Sequence, residues 1–403
     1  MRACIRLGLV LGIVAVALPA DGQILPSEPL RAFDGRLVFT GEASATIGRE
    51  DHEAYFNYTD YERNLLRTIR LSFGALWQPA ERIAFVGEIR SDDFEAAGAY
   101  AAYVRVRPFR AHRFDIQAGR IPPVFGAFSR RIYASDRFLI GYPLAYQYLT
   151  SLRSDAVPAN ADDLLFMRGR GWRSSFPVGS RDAGPGVPLV SAFRWDTGVQ
   201  GRWMNDTIEA AASITTGTLS RPRVRDDNNS KQVTARLAVR PLVGLVIGTS
   251  AARGGWVSKD VPVTNAHDDL SQVAFGADAE YSREHWIVRG EMIWSQWRVP
   301  FAVVPPEGDT VSALGAWVEG KYRVSPRWYV AARADRLGFS TLSGTLFDAS
   351  ATTWDAPVVR YEAGAGYYLR RNIVARGSVQ WNHRDSARAS ERTFVSAQVT
   401  YWF

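Results

Sequence analysis

The sequence predicts an all-β protein, a single antiparallel transmembrane β-barrel of about 16 strands. Three observations carry the prediction. Stretches of about ten residues with alternating apolar and polar side chains recur along the chain, and about ten residues is what a tilted membrane-crossing strand needs. The breaks between these stretches are alternately short and long, the rhythm of an up-and-down barrel with turns at one rim and loops at the other. The chain stops on a two-residue-period segment, RTFVSAQVTYWF, with an aromatic residue last.

The first 22 residues have a basic start (Arg2, Arg6), a twelve-residue apolar run and small residues at Ala20 and Gly22. They are expected to be a secretory signal peptide, cut ahead of Gln23. The run is too short to cross a bilayer as a helix, and no other stretch approaches 18 apolar residues. The single cysteine, Cys4, precedes the run, so the mature chain is expected to have no disulfide. Residues 23–34 form a short lead and 35–403 the barrel.

The expected strands are 35–47, 64–77, 82–91, 98–107, 113–120, 190–203, 207–218, 231–240, 244–256, 270–281, 286–298, 311–323, 327–337, 357–369, 373–383 and 392–403. Several short breaks carry proline, as in QPAE (78–81) and VSP (324–326), because proline cannot donate a ladder hydrogen bond. The long breaks are rich in Asp, Asn, Ser, Gly and Pro. Within a strand the charges keep to one phase. In 357–369 the apolar face is Val359, Tyr361, Ala363, Ala365 and Tyr367, while Arg360 and Glu362 share the other. An Arg or Lys facing mid-membrane lipid costs about 2–4 kcal/mol, so the charged phase belongs to a wet lumen. Trp77, Trp203, Tyr281, Trp286, Tyr322 and Trp328 sit beside short turns, where an aromatic girdle would lie. A soluble β-propeller would share the alternation, but not the turn rhythm or the girdle.

Lipid offers no hydrogen bonds, so the last strand must pair with the first and close the barrel. The terminal Val399, Tyr401 and Phe403 resemble the C-terminal signal read by the outer-membrane insertion machinery. The outlier among the loops is 121–189, too long for a plain connection and too aromatic for disorder. It is the third long loop, and it opens within AGRIPPVFG (118–126), where a strand ends in Gly-Arg and leads into a Pro- and Gly-containing loop. In these features the chain resembles the bacterial outer-membrane porins, and AGRIPPVFG resembles the larger group that includes the phosphate-selective porins. The resemblance implies that loop 121–189 folds into the barrel and sets a constriction. It also implies passive diffusion of small hydrophilic solutes, contact with outer-membrane lipid and lipopolysaccharide, and a homotrimer. Phosphate-selective members have lysine-lined pores, whereas this chain has three lysines, Lys231, Lys259 and Lys321.

The formal net charge is +7, and the basic residues are nearly all arginine. Arginine and acid are interleaved without a basic run, which argues against a nucleic-acid partner. Between 119 and 190, nine arginines face five acids, a balance of +4. Arg120, Arg130, Arg131 and Arg137 in that stretch, with Arg105, Arg107, Arg333, Arg360 and Arg376 on strands, are the expected constriction and lumen residues. Rings of arginine select anions, so a mild anion preference is expected. The competing reading is that these charges pair across strands and only keep the wall wet. Tyr133, Tyr142, Tyr146 and Tyr148 either guide solutes or pin the loop to the wall, and packing is the favoured reading.

Enzyme chemistry finds little footing. The five histidines show no metal-ligand spacing, and there is neither a Gly-x-Ser-x-Gly elbow nor a P-loop. His383 with Ser386 is the nearest thing to a hydrolase pair, and the Asp pairs 226–227 and 268–269 the nearest to a cation site. The expectation is therefore no catalytic residue, no metal and no cofactor. The alternatives are a channel specific for an anion or carbohydrate, and an outer-membrane hydrolase or structural barrel.

Overall fold

The computed structural model describes residues 25–51, 54–59, 64–109, 113–228, 230–263, 269–301, 309–344, 352–386 and 390–403. The expected signal peptide, His52, His112, His267 and Asp268 lie outside the described residues.

Sixteen antiparallel strands form the wall. They are β1 (Leu37–Gly48), β2 (Ile69–Ala80), β3 (Ile83–Asp92), β4 (Gly98–Val106), β5 (Phe114–Ile121), β6 (Asp196–Met204), β7 (Ile208–Thr215) and β8 (Gln232–Leu242). There follow β9 (Leu245–Gly255), β10 (Ser271–Arg283), β11 (Trp286–Arg298), β12 (Thr310–Arg323), β13 (Trp328–Phe339), β14 (Val358–Arg370), β15 (Ile373–Arg384) and β16 (Glu391–Trp402). Each pairs with its sequence neighbour, and β16 pairs with β1 from Trp402↔Glu42 to Ser396↔Gly48, closing the barrel. Phe403 extends the seam: its N–H donates to the Gly41 carbonyl at 3.0 Å and its carbonyl accepts from Gly41 N–H at 3.1 Å. A three-residue strand in the lead, Leu30–Ala32, lies against Leu37–Phe39.

Period two sorts the side chains as the sequence predicts. On β15, Val374, Arg376, Ser378, Gln380, Asn382 and Arg384 are buried inside, while Gly377, Trp381 and His383 are exposed outside. Large apolar residues are exposed all round the outer wall, among them Leu71, Phe85, Ile116, Val199, Phe275, Met292, Val318 and Val395. An apolar outer band is the face a bilayer covers. At the short-turn rim, aromatic pairs such as Trp77–Phe85 (5.3 Å between ring centroids), Trp286–Tyr322 (4.5 Å) and Trp328–Tyr367 (4.7 Å) form the expected girdle.

Most strand ends fall within three residues of the expectation, and two strands start five or more residues late. The predicted 64–77 begins at Ile69, because Asn64 folds a turn: its Oδ1 accepts from Leu66 N–H and its carbonyl from the Thr68 hydroxyl. The predicted 190–203 begins at Asp196, because Val190, Ala192 and Trp195 are buried in the preceding loop's core. The long third loop is therefore 122–195. It contains α1 (Leu144–Gln147), α2 (Ala161–Phe166) and three 3-10 turns.

This loop folds into the barrel, and the hydrophobic core lies inside the lumen. Phe125, Phe128, Ile140, Leu144, Tyr146 and Leu152 from the loop join Ala274, Ile293, Trp317 and Leu337 from the wall in one buried cluster. Burying an aliphatic or aromatic side chain fully contributes about 1.5–3 kcal/mol. Phe128 alone packs against Tyr142, Tyr146 and Trp317.

Candidate channel lining and constriction

A loop inside a barrel carries its peptide groups away from water, and each buried N–H and C=O needs a partner. Charged residues on the wall supply them. Glu42 on β1 accepts from the N–H groups of Ala134 and Ser135, both at 2.9 Å, and from the Ser135 hydroxyl at 2.6 Å. Glu291 on β11 accepts from Ala127 N–H (2.9 Å) and the Tyr146 hydroxyl (2.7 Å). Asp335 on β13 accepts from Leu144 N–H (2.9 Å), and Glu362 on β14 from Gly141 N–H (3.1 Å). Gly126, at φ +75°, passes so close that a Cβ would lie 2.5 Å from both Glu291 Oε1 and Tyr146 Oη.

Arginines bind the loop's carbonyls in the complementary sense. Arg333 donates to Gly141 O (3.1 Å) and Glu362 (2.6 Å), with Glu319 at 3.5 Å. Arg360 donates to Tyr142 O (3.1 Å), to Asn382 (2.6 Å) and to Phe56 O. Arg376 donates to Ala134 O (2.6 Å), Gln398 (2.9 Å) and the Tyr329 hydroxyl (2.8 Å). All three side chains are buried. Their charge is spent on fastening the loop, an arrangement the sequence reading did not weigh. Of the loop arginines, Arg137 is also buried, donating to Ile140 O with its guanidinium 4.6 Å from the Tyr142 ring centre. Arg120, at the end of β5, donates to the carbonyls of Trp195 (3.2 Å) and Ala99.

Three of the loop tyrosines, Tyr142, Tyr146 and Tyr148, are fully buried and pack. The fourth, Tyr133, reaches β3, donating its hydroxyl to Glu88 at 2.5 Å. Burial, then the Glu88 charge, push the Tyr133 phenol upward, so it stays a donor. Beside it Arg90 lies 3.5 Å from the centre of the Tyr100 ring, and Arg70 donates to the Tyr142 hydroxyl at 3.0 Å. These contacts fasten the loop edge to β2–β4.

The short-turn half of the wall from β4 to β8 differs. Arg105, Arg107, Asp115, Arg202 and Arg240 keep part of their surface exposed. Arg130 enters this region from the loop and pairs with Glu209 on β7 at 2.6 Å, with its side chain 28% exposed. Five arginines (105, 107, 130, 202, 240) and two acids (115, 209) leave +3 here. Arg131 points towards β10 and pairs with Glu280. The sequence reading missed Glu209, Arg240 and Glu319. Glu209 and Glu319 each share the inward parity of a buried neighbour, Ala211 and Trp317, and that parity was the available signal.

The other sequence candidates stand apart from the lumen. His383 lies on the outer parity of β15, 64% exposed and 3.5 Å from Glu391, whereas Ser386 lies beyond the strand end. Asp226 pairs with Lys231 and Asp227 with Arg223. Among the described residues no group of three or more His, Cys, Asp or Glu is placed to hold a metal. Val399 is half exposed on the outer wall, Tyr401 donates its hydroxyl to Pro26 O at 2.7 Å, and Phe403 closes the seam.

No family model matches the chain, and no curated protein matches it. Solved structures do. OmpT, an outer membrane protein of Vibrio cholerae, superposes with a TM-score of 0.56 at 10% identity, covering 94% of this chain and 100% of that one. The outer membrane channel DcaP of Acinetobacter baumannii gives 0.54 at 11% identity, covering 93% and 100%. The anion-selective porin from Comamonas acidovorans gives 0.53 at 8% identity, covering 91% and 99%. At these identities the likeness is one of fold: the chain has the closed sixteen-stranded architecture of bacterial outer-membrane porins.

Proposed function

We propose that this protein is a porin of the bacterial outer membrane, passing small hydrophilic solutes by diffusion with a mild preference for anions. The apolar outer band and aromatic girdle support a bilayer position, with the short turns facing the periplasm and the long loops facing outward. The reading of anion preference rests on one observation, the +3 balance of charged side chains along the short-turn half of β4–β8, in which the arginines keep part of their surface exposed. Field lines concentrate in a narrow, low-dielectric passage, so a small excess of one sign biases which ions enter. The path would run beside the loop. Arg333, Arg360 and Arg376 would contribute stability, and Arg105, Arg107, Arg130 and Arg202 the field. Arg120, Arg131 and Arg137 would act chiefly through the loop's position.

The function proposed is transport without a covalent step. Its surroundings would be outer-membrane lipid and lipopolysaccharide, reached through the barrel insertion machinery. A homotrimer fits this reading; one solved form of Vibrio cholerae OmpT is described as a trimer.

The test is the reversal potential of the purified protein in a planar bilayer under a potassium chloride gradient. Chloride preference is the expected outcome. Cation preference would keep the channel and remove the charge argument. A folded, inserted protein that carries no current would remove the channel reading itself.

A further inference from the structure

Three guanidiniums converge on one carboxylate beneath the loop. Arg130 Nη1 and Arg202 Nη2 lie 2.6 and 2.9 Å from Glu209 Oε1, and Arg240 Nη2 lies 3.4 Å from Oε2. Glu209 is nearly buried, its side chain 8% exposed, whereas the three arginines are 28%, 32% and 33% exposed. One negative charge therefore meets three positive ones, and the positive edges still face water. Asp115, whose Cα is opposite that of Arg202 across the strands, accepts from the Gln117 amide at 2.9 Å. The Arg202 Nε is buried and has no hydrogen-bond partner. Three arginines offer fifteen N–H donors, far more than two carboxylate oxygens can accept.

From this geometry we propose that Arg130, Arg202 and Arg240 form a binding station for a small oxyanion, with Glu209 as the resident counter-charge that spaces them. The inference rests on the porin reading and adds to it a solute class: small carboxylate- or phosphate-bearing molecules. Guanidinium is suited to this because its planar fork matches two oxygens of either group and stays charged at every working pH. Arg130 belongs to the loop, and Arg202 and Arg240 belong to β6 and β8. A bound oxyanion would thus bridge loop and wall. Chloride, a single sphere, cannot present two separate oxygens to the parallel donors of a fork. The station would favour oxyanions over halide and saturate as they accumulate.

The experiment uses the full barrel in a planar bilayer with potassium chloride, titrated with inorganic phosphate. Phosphate should reduce the chloride current with a saturable dependence. Arg202→Gln should raise the half-blocking concentration by about tenfold, the loss of one charged hydrogen-bond partner. Glu209→Gln should lower it, because the competing carboxylate is gone; a site that merely held the wall together would not respond in that direction. Calorimetric titration of phosphate into the detergent-solubilised protein separates the two readings. Binding that is lost in Arg202→Gln, without any current in bilayers, would keep the station and remove the channel. Current without saturable block, or phosphate binding equal in wild type and Arg202→Gln, would overturn the station.

Discussion

The guanidinium of Arg376 on β15 donates to the carbonyl of Ala134 at 2.6 Å, while the carboxylate of Glu42 on β1 accepts from the N–H of the same residue at 2.9 Å. One residue of the inserted loop is thus held at both its peptide polar groups by opposite charges on two strands that flank β16. The pattern repeats at Gly141, between Glu362 and Arg333. Wall charge serves here as the hydrogen-bonding environment that water would otherwise supply to a buried loop.

Glu42→Ala and Arg376→Ala should each destabilise loop docking by about 1–3 kcal/mol, since each leaves buried groups unpaired. The double variant should lose less than the sum, because both side chains hold Ala134. Limited proteolysis between 128 and 140 in the folded barrel, with single-channel noise alongside, reads the effect. Additive losses would count against a shared latch.

Selectivity and stability should separate by position. Arg105→Gln removes a partly exposed lumen charge and should move the reversal potential towards cations with little change in stability. Arg360→Gln removes a fully buried charge beside Asn382, Tyr142 and Phe56. It should cost about 3–5 kcal/mol and leave the reversal potential of the surviving folded fraction unchanged. The reverse assignment would mean that the water path runs along β14 and not along β4–β8.

Deleting Phe403 removes both hydrogen bonds to Gly41 and uncovers the glycine against which its ring lies. Closure of β1 on β16 should weaken, and the folded, heat-modifiable fraction on gels should fall. Phe403→Tyr keeps the ring and backbone and should fold as wild type. Normal folding of the deletion would show that the seam holds without its last residue.

Burial is the largest influence on Asp355, and it holds the carboxyl above the ordinary range despite N–H donors from Ala356, Gly169 and Ser151 and the charge of Arg384. A carboxyl raised in the folded state binds its proton more tightly there than in the unfolded chain. Its effect on stability is therefore most favourable below the ordinary carboxylate pKa and is lost as pH rises through the raised folded value. Melting curves across that window should show a smaller acid-side gain in Asp355→Asn than in wild type. Parallel curves would mean that Asp355 titrates as a free carboxyl.

Much of the wall was legible along the chain. On β15 the alternation of Val374, Arg376 and Ser378 with Ala375, Gly377 and Val379 assigned inside and outside one residue at a time. The girdle tryptophans and the closing strand were visible for the same reason. That the loop folds inward was implied by the resemblance to porins; its length and aromatic content argued only against a plain or disordered connection. The roles of the loop and wall arginines were not legible, because Arg130 and Glu209 are 79 residues apart and Arg360 and Phe56 are 304 apart.

Taken alone, the sequence determined the architecture: strand number, facing, turn rhythm and the need for closure. These follow from a two-residue period and from a backbone that lipid will not hydrogen-bond, both of which act locally. Only the tertiary structure decided which charges face water and which fasten the loop. Arg105 and Arg360 carry the same group on the same inward parity. What separates them is whether folding brings a buried peptide carbonyl to the guanidinium, a contact made through space between segments the chain keeps far apart.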